Sequence, residues 1–436
     1  MPDDLYVVGH QRPDTDAIAS ALGWAWLLSQ TGQDERAVAA RCGPVPPQTR
    51  YALERFDQPA PRLLTGVAPT FAHVVEERPA VRADAPLDDA LTILADENQV
   101  VVPVLRESGQ PLGVVAPLAL ARAFARLQVG RDETLPLCGA IAEVRPLFRS
   151  LDRLSDHRAA ILHAEGNQFV VIDESGAYVG LVSQRRLLSP PRARLYLVDH
   201  NELPQAVPGA DEAEIVGVLD HHRLGNPPSS LPIPFCVDPV GSTSTLVAER
   251  VREARIRPPR SLAGLLLSGI LSDTLAFRSP TTTVRDEAMA DWLGGIAQVD
   301  PVLYGKELLA TAQGLGAREP DDIVDADRKS YVFGGQLVAL AQVEIPGLHE
   351  LPERRARLLD AMAVRRVREG LAFIGLMVTD VAACRSVLLC QGERRLLDAL
   401  PLARRTEFEF DLGEMVSRKK QLAPTLQSAF ESVEAG

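Results

Sequence analysis

GHQRPDTDAIASALGWAWLL (Gly9–Leu28) places a histidine, an arginine and two aspartates in one short stretch and then runs into an unbroken Ala-rich apolar segment. The preceding residues, Leu5 to Gly9, read as a buried strand, so the pattern predicts a strand, a polar loop over His10–Asp16, and a helix from Ala17 to Leu28. Ionisable side chains emerging at the end of a buried strand are placed where α/β proteins build their sites. The arrangement recurs in LVDHNE (Leu197–Glu202), LDHH (Leu219–His222) and LSDTLAF (Leu271–Phe277), each after an apolar run. A fifth motif, SRKKQ (Ser417–Gln421), brings cations near the C-terminus.

Composition narrows the class. The 436 residues predict two or three domains, and 46% apolar residues supply the cores. No apolar stretch approaches the roughly 18 residues of a membrane span, and MPDDLYVVGH lacks the basic start of a signal peptide, so a cytoplasmic protein with no membrane partner is expected. Cys42, Cys138, Cys236, Cys384 and Cys390 are scattered without CxxC spacing, which argues against disulfide frameworks and zinc-thiolate sites. A net charge of −12 argues against nucleic acid as a partner. A small anionic substrate met by local cations is expected instead.

The chain is interrupted between its first and second motifs. Val104–Gly113 (VLRESGQPLG) matches Val171–Gly180 (VIDESGAYVG), which predicts a tandem module inserted in a host domain. Thr65–Arg78 and Ser189–Arg194 mark its edges. After it, Leu195–Val198 and Val216–Leu219 read as strands, and Ser244–Ala254 and Ser261–Leu271 as helices. Gly305–Pro320 reads as a polar linker. Beyond Arg328, strands over Gln336–Val343, Leu371–Thr379 and Ser386–Cys390 flank an Arg-rich helix, Leu351–Arg368, and predict a separate α/β lid domain ending in SRKKQ.

A lone Asp-His pair at a strand end is most often a cap or a solvated pair, and Asp14 alone predicts an N-cap. Four such motifs at element ends have little structural reason to coincide. His73, His157, His163 and His349 lie outside them and read as surface or packing residues. Two histidines (His10, His221) and four aspartates (Asp14, Asp16, Asp199, Asp273) form an oxygen-rich ligand set that suits Mn²⁺ or Mg²⁺ better than structural Zn²⁺. His10, Asp14 and Asp16 can serve two neighbouring ions, Asp199 and Asp273 can bridge them, and His221 completes the ligand set of the second ion. Two ions about 3.5–4 Å apart would hold a hydroxide in line with phosphorus, the chemistry of phosphoester or phosphoanhydride hydrolysis.

With these residues in view, the chain resembles the manganese-dependent family II inorganic pyrophosphatases of the DHH phosphoesterase superfamily. The resemblance runs through GHQRPDTDAIAS, LVDHNE, LDHHRLGN, DPVGSTST, LSDTLAFRSPTTT, ADRKSY, AQVE, VTD and SRKKQ. It implies an α/β fold in which a DHH catalytic domain with a parallel sheet (1–66 and 191–312) precedes a DHHA2-type substrate-binding domain (313–436). It also implies that His10 and Asp14 hold one metal and Asp16 and His221 the other, with Asp199 and Asp273 shared. His222, Lys329, Arg418 and Lys419 would bind the phosphates of pyrophosphate, and His222, Asp199 and Asp273 would be catalytic. The implied cofactors are two Mn²⁺ ions, with Mg²⁺ or Co²⁺ as substitutes and a further Mg²⁺ arriving with substrate. Arg12 stands where the family more often has Asn.

The insert (67–190, repeats about 67–125 and 134–190) resembles a CBS-domain pair, which implies an adenine nucleotide as ligand and a homodimer. The repeats lack the Asp that usually grips ribose: Ser183 is followed by Gln184, Arg185 and Arg186, and Ala116 by Pro117, Leu118 and Ala119. A structural or dimerising spacer therefore stands beside the nucleotide reading. Three functions are in play: a pyrophosphatase, a DHH phosphodiesterase on oligonucleotides or cyclic dinucleotides, and a non-catalytic nucleotide sensor. Gly294-Gly295 and Gly334-Gly335 are followed by no His, against the GGGH-type motif of the second; retention of the whole ligand set argues against the third.

Overall fold

The computed structural model describes residues 4–96, 99–131, 134–164, 166–225, 232–312, 314–325, 327–381 and 383–434. Asn226, which ends LDHHRLGN, Ala326, which begins ADRKSY, and Gln313 in the expected linker lie outside them. The chain forms two compact units, one of Gly66–Arg194 with Pro208–Glu214 and one of Asp4–Thr65, Leu195–Val207 and Ile215–Gly436.

The larger unit begins with β1 (Leu5–Val8), β2 (Ala37–Arg41) and β3 (Arg62–Leu63). Between β1 and β2 lies the Thr15–Gln30 helix, buried on nearly every side, which explains why its sequence is apolar all round rather than striped. The smaller unit supplies β4 (Val81–Arg82), β5 (Val102–Leu105), β6 (Pro111–Val115), β7 (Leu147–Arg149), β8 (Gln168–Ile172) and β9 (Tyr178–Ser183) as two three-stranded sheets. The repeat is visible in their register: Val104 faces Gly113 and Val171 faces Gly180. Each repeat also lends its leading segment to the other's sheet. Glu76 exchanges backbone hydrogen bonds with Leu181 of β9, and Glu143 exchanges them with Val114 of β6. A Cβ on Gly113 or Gly180 would meet the Glu143 or Glu76 carbonyl oxygen at 2.5 or 2.2 Å, so glycine at both positions permits the crossing.

The host sheet resumes with β10 (Arg194–Val198), β11 (Glu214–Asp220) and β12 (Phe235–Val237), in the order β12-β11-β10-β1-β2-β3. The β1–β2, β2–β3 and β11–β12 pairs are parallel. Helices Thr243–Glu253 and Arg260–Asp273 pack with the Thr15–Gln30 helix into one core around Ile18, Val247 and Leu266.

The C-terminal sheet comprises β13 (Lys329–Phe333), β14 (Gln336–Ile345), β15 (Phe373–Asp380), β16 (Arg385–Gly392), β17 (Ala403–Thr406) and β18 (Glu409–Gly413), in the order β13-β14-β15-β16-β18-β17. It is apolar on both faces. Leu358 and Met362 of the Leu351–Arg368 helix cover one face, and Leu426 and Phe430 of the Ala423–Glu434 helix cover the other. Two expectations are corrected here. The Gly305–Pro320 stretch is not simply a polar linker, because its first residues belong to the Pro301–Leu309 helix, which buries Tyr304 and Leu308 in the core of the host domain. The lid does not end at SRKKQ: the following helix completes its core, and emptying a site such as Phe430 would cost about 3–5 kcal/mol. It also packs against the host domain, where Leu275 and Leu309 meet Val381 and Val416 in a shared apolar cluster.

Candidate metal centre

Each ligand candidate sits at the end of an element whose body is buried. His10 and Asp14 occupy the loop after β1, and Asp14 also caps the helix, its Oδ1 accepting from the Ala17 N–H at 2.8 Å. Asp16 lies in the first turn. Asp199 follows β10 with φ +61°, a left-handed conformation that aspartate tolerates better than most residues. His221 follows β11, and Asp273 ends the Arg260–Asp273 helix.

Two groups result, joined at Asp199. His10, Asp14 and Asp199 form one; Asp16, Asp199, His221 and Asp273 form the other. His10 Nε2 lies 3.5 Å from Asp14 Oδ2 and from Asp199 Oδ2, while His221 Nε2 lies 3.4 Å from Asp199 Oδ1 and 3.6 Å from Asp273 Oδ2. Asp273 converges with the second group only. A third convergence brings His222 to Asp199 and His221.

Electrostatics show how poorly protein alone satisfies this cluster. Burial and the charges of Asp199 and Asp14 push the Asp16 carboxyl from its ordinary 3.8 up to about 7, against the pull of His221 and Ser244. Burial and the charges of Asp16, Asp14, Asp199 and Glu344 hold Asp273 well above the usual carboxylate range. Burial opposes a charge on Asp199 too, yet the adjacent His10 and His221 imidazoles keep it well below that range. For His221 the burial penalty is outweighed by Asp199, and its pKa rises to about 9. Asp199 Oδ2 and His221 Nε2 are buried without hydrogen-bond partners. Converging carboxylates and imidazoles with unpartnered ligand atoms suit divalent cations, so this donor set fits the expected metals.

Several residues that the sequence reading left unassigned hold the ligands. Asp16 accepts from Ser242 Oγ–H (2.7 Å), Thr243 N–H (2.6 Å) and Ser244 N–H (2.8 Å), so the start of the Thr243–Glu253 helix grips its carboxylate. Thr243 Oγ1–H also reaches Asp199 Oδ1 at 3.1 Å. Gly269 lets the Asp273 helix approach, since a Cβ there would stand 2.3 Å from Ser244 Oγ and 2.9 Å from Asp16 Oδ1. Buried Asp220 accepts from the His221 and His222 N–H groups (2.8 and 3.1 Å) and lies 2.8 Å from His222 Nδ1. Asn201 Nδ2–H donates to its other oxygen. His200 is buried edge-on to His10, and burial pushes its pKa down to about 4, so it is a neutral packing partner. The sequence signal for Asp220, Asn201 and His200 was present: all lie inside the quoted motifs.

The cationic candidates come from the C-terminal domain. Lys329 begins β13, and Arg418 and Lys419 lie in a π-helical turn, Arg418–Leu422, a geometry frequent at functional sites. Gln342 Oε1 accepts the Arg418 N–H at 3.1 Å, and Arg418 Nη1 lies 2.9 Å from Asp327 Oδ2. Burial and the charges of Arg223, Arg418 and Lys329 lower the Lys419 pKa, with Asp220 opposing. Lys419 thus feels both the charges of the Asp220–Arg223 turn and those of the other two candidates, Arg418 and Lys329.

The family model for the DHH family N-terminal domain matches residues 4–270, and the model for the DHHA2 domain matches residues 306–429. The cobalt-dependent inorganic pyrophosphatase of Clostridium perfringens (strain 13 / Type A) is 26% identical over 541 aligned positions, covering 98% of each chain. A protein of Streptococcus suis (strain 98HAH33) named a probable manganese-dependent inorganic pyrophosphatase is 36% identical over 243 positions, 55% of this chain and 78% of its own. A solved Methanococcus jannaschii structure described as a family II inorganic pyrophosphatase superposes with a TM-score of 0.59 at 23% identity, covering 98% of this chain and 99% of that one.

Proposed function

The chain belongs to the DHH family, and from that premise we infer that it is a metal-dependent inorganic pyrophosphatase, hydrolysing pyrophosphate to two phosphates. The observation that carries the reading is the pair of ligand groups sharing Asp199, faced by cations of the DHHA2 domain. His10, Asp14 and Asp199 would hold one Mn²⁺ or Co²⁺ ion, and Asp16, Asp199, His221 and Asp273 the other. When bound, such ions supply a water of lowered pKa and positive charge for the phosphoryl oxygens.

The protein's own groups do the rest. Ser242, Thr243 and Ser244 fix Asp16, and Thr243 fixes Asp199, so the ligand carboxylates are oriented before anything binds. Asp220 holds His222 through Nδ1 and leaves Nε2 for a substrate oxygen. Arg418, Lys419 and Lys329 meet the phosphates, where negative charge grows on the leaving group. Asp199, Asp273 and His222 are the residues expected at the reacting atoms.

The inserted unit (67–190) is proposed as a CBS pair binding an adenine nucleotide, supported by its two equivalent sheets with exchanged leading segments. Arg186, where a ribose-gripping Asp is usual, pairs with Glu76 at 2.6 Å. The DHH domain is assigned to 1–66 and 191–312 and the DHHA2-type domain to 313–436. A cytoplasmic homodimer completes the proposal; free cysteines suit a reducing compartment, and among the described residues no helix is long and apolar enough to cross a membrane. The test is to strip the metal, restore Mn²⁺, Co²⁺ or Mg²⁺, and measure phosphate release from pyrophosphate, triphosphate and a dinucleotide in parallel. Pyrophosphate is expected to rank first. Preferential cleavage of the dinucleotide would favour the phosphodiesterase reading.

A further inference from the structure

The His10–Asp16 loop carries one cation, and it does not turn toward the ligands. Exposed Arg12 donates an Nη1–H to the backbone carbonyl of Asp325 in the C-terminal domain. That acceptor is anchored from its own side: the Asp325 carboxylate lies 2.6 Å from Arg365 Nη1 and 3.0 Å from Arg328 Nε, and Arg328 pairs with Glu369 at 2.7 Å. Just beyond it, Asp327 pairs with Arg418, and Lys329 begins β13. The carbonyl gripped by Arg12 therefore heads the segment that positions two phosphate-binding candidates.

The second ligand loop is tied in the same way. Arg278, shortly after Asp273, donates Nη2–H to the Val381 carbonyl at 2.6 Å, and Val381 is buried against Leu275, Leu309 and Val416. Val416 directly precedes SRKKQ. Two of the ligand-bearing segments thus reach the substrate-binding domain through a guanidinium on a backbone carbonyl.

We propose that Arg12 is a positioning residue, a clasp whose bond to Asp325 couples the metal-ligand loop to the Asp327–Lys329 segment and so sets where Arg418 and Lys329 meet the substrate phosphates. The role rests on the pyrophosphatase reading. A guanidinium remains charged at any working pH and makes a charge-assisted hydrogen bond to a carbonyl. At an exposed rim such a bond is strong enough to bias closure and weak enough to open for substrate entry and product release.

The test compares the wild type with Arg12→Ala, Arg12→Lys, Asp327→Ala and the Arg12→Ala/Asp327→Ala double variant, all loaded with Mn²⁺. Losing one such bond is expected to raise KM for magnesium pyrophosphate about fivefold in Arg12→Ala, with kcat changing less than about twofold. Manganese content should be unchanged, and Arg12→Lys should recover part of the loss. Both single changes loosen the same segment, so the double variant should fall short of the product of the two effects. Without substrate, amide exchange at Asp327, Arg328 and Lys329 should accelerate in Arg12→Ala. A wild type that does not hydrolyse pyrophosphate would sink the functional reading, while exchange still decides the clasp. Unchanged exchange, fully multiplicative effects on KM, or lost manganese in Arg12→Ala would each overturn it.

Discussion

Replacing Asp16 by asparagine isolates the charge penalty built into the metal centre. The Asp16 side chain is fully buried, and its pKa rises from 3.8 to about 7, chiefly through burial and then through Asp199. A carboxyl raised on folding contributes stability below its unfolded pKa, and that contribution is lost as pH rises through the folded value. At about 1.36 kcal/mol per pH unit, the penalty is about 1.6 kcal/mol at pH 5 and levels off near 4 kcal/mol above about pH 7. Asparagine removes this pH dependence. It sets an amide against one of the donors, costing about 1–3 kcal/mol at every pH. The metal-free variant should therefore be close to neutral or slightly destabilised at pH 5 and more stable than the wild type at pH 8.5. The difference between the two comparisons, about 2–3 kcal/mol, cancels the hydrogen-bond cost. With Mn²⁺ the order should reverse, because the variant has lost a ligand. Urea unfolding in EDTA and in Mn²⁺ at both pH values measures all four quantities. A variant-minus-wild-type difference that does not change with pH in EDTA would refute the account.

Asp273→Ala should abolish hydrolysis and weaken metal binding, whereas Asp321→Ala, 77% exposed and 3.6 Å from Arg365, should do little; activity and metal titration of the two variants check this. Arg418→Ala and Lys419→Ala should raise KM and lower kcat while metal content holds, as steady-state kinetics with metal analysis would show. Joining the host across about Gly66 to Arg192 should leave an active enzyme that no longer responds to AMP, ADP or ATP, because every ligand candidate lies outside that span. In the intact chain the nucleotide coupling should stay under about 1.4 kcal/mol, and calorimetry showing micromolar adenine-nucleotide binding would show that residues other than Ala119 and Arg186 hold the ribose.

The sequence by itself determined the α/β class, the main helices and strands, the repeat, and the identity of the ligand candidates. Each of those is a local pattern: a buried strand or helix is written in consecutive apolar residues, and the groups at its end are chain neighbours of that run. Local pattern also explains the misreading at Gly305–Pro320, where glycine and polar residues hid the Pro301–Leu309 helix that tertiary burial stabilises. Only the tertiary structure decided which ligands share a group. Asp16 meets Ser242, Thr243 and Ser244 across more than half of the chain's length, and no spacing rule reaches that far. It also decided that Asp273 converges with His221 rather than with His10, and that the Arg12 guanidinium leaves the ligand loop for the Asp325 carbonyl. These contacts depend on how helices and sheets pack in space, and packing distributes its constraints over many residues, none of which announces its partner in sequence.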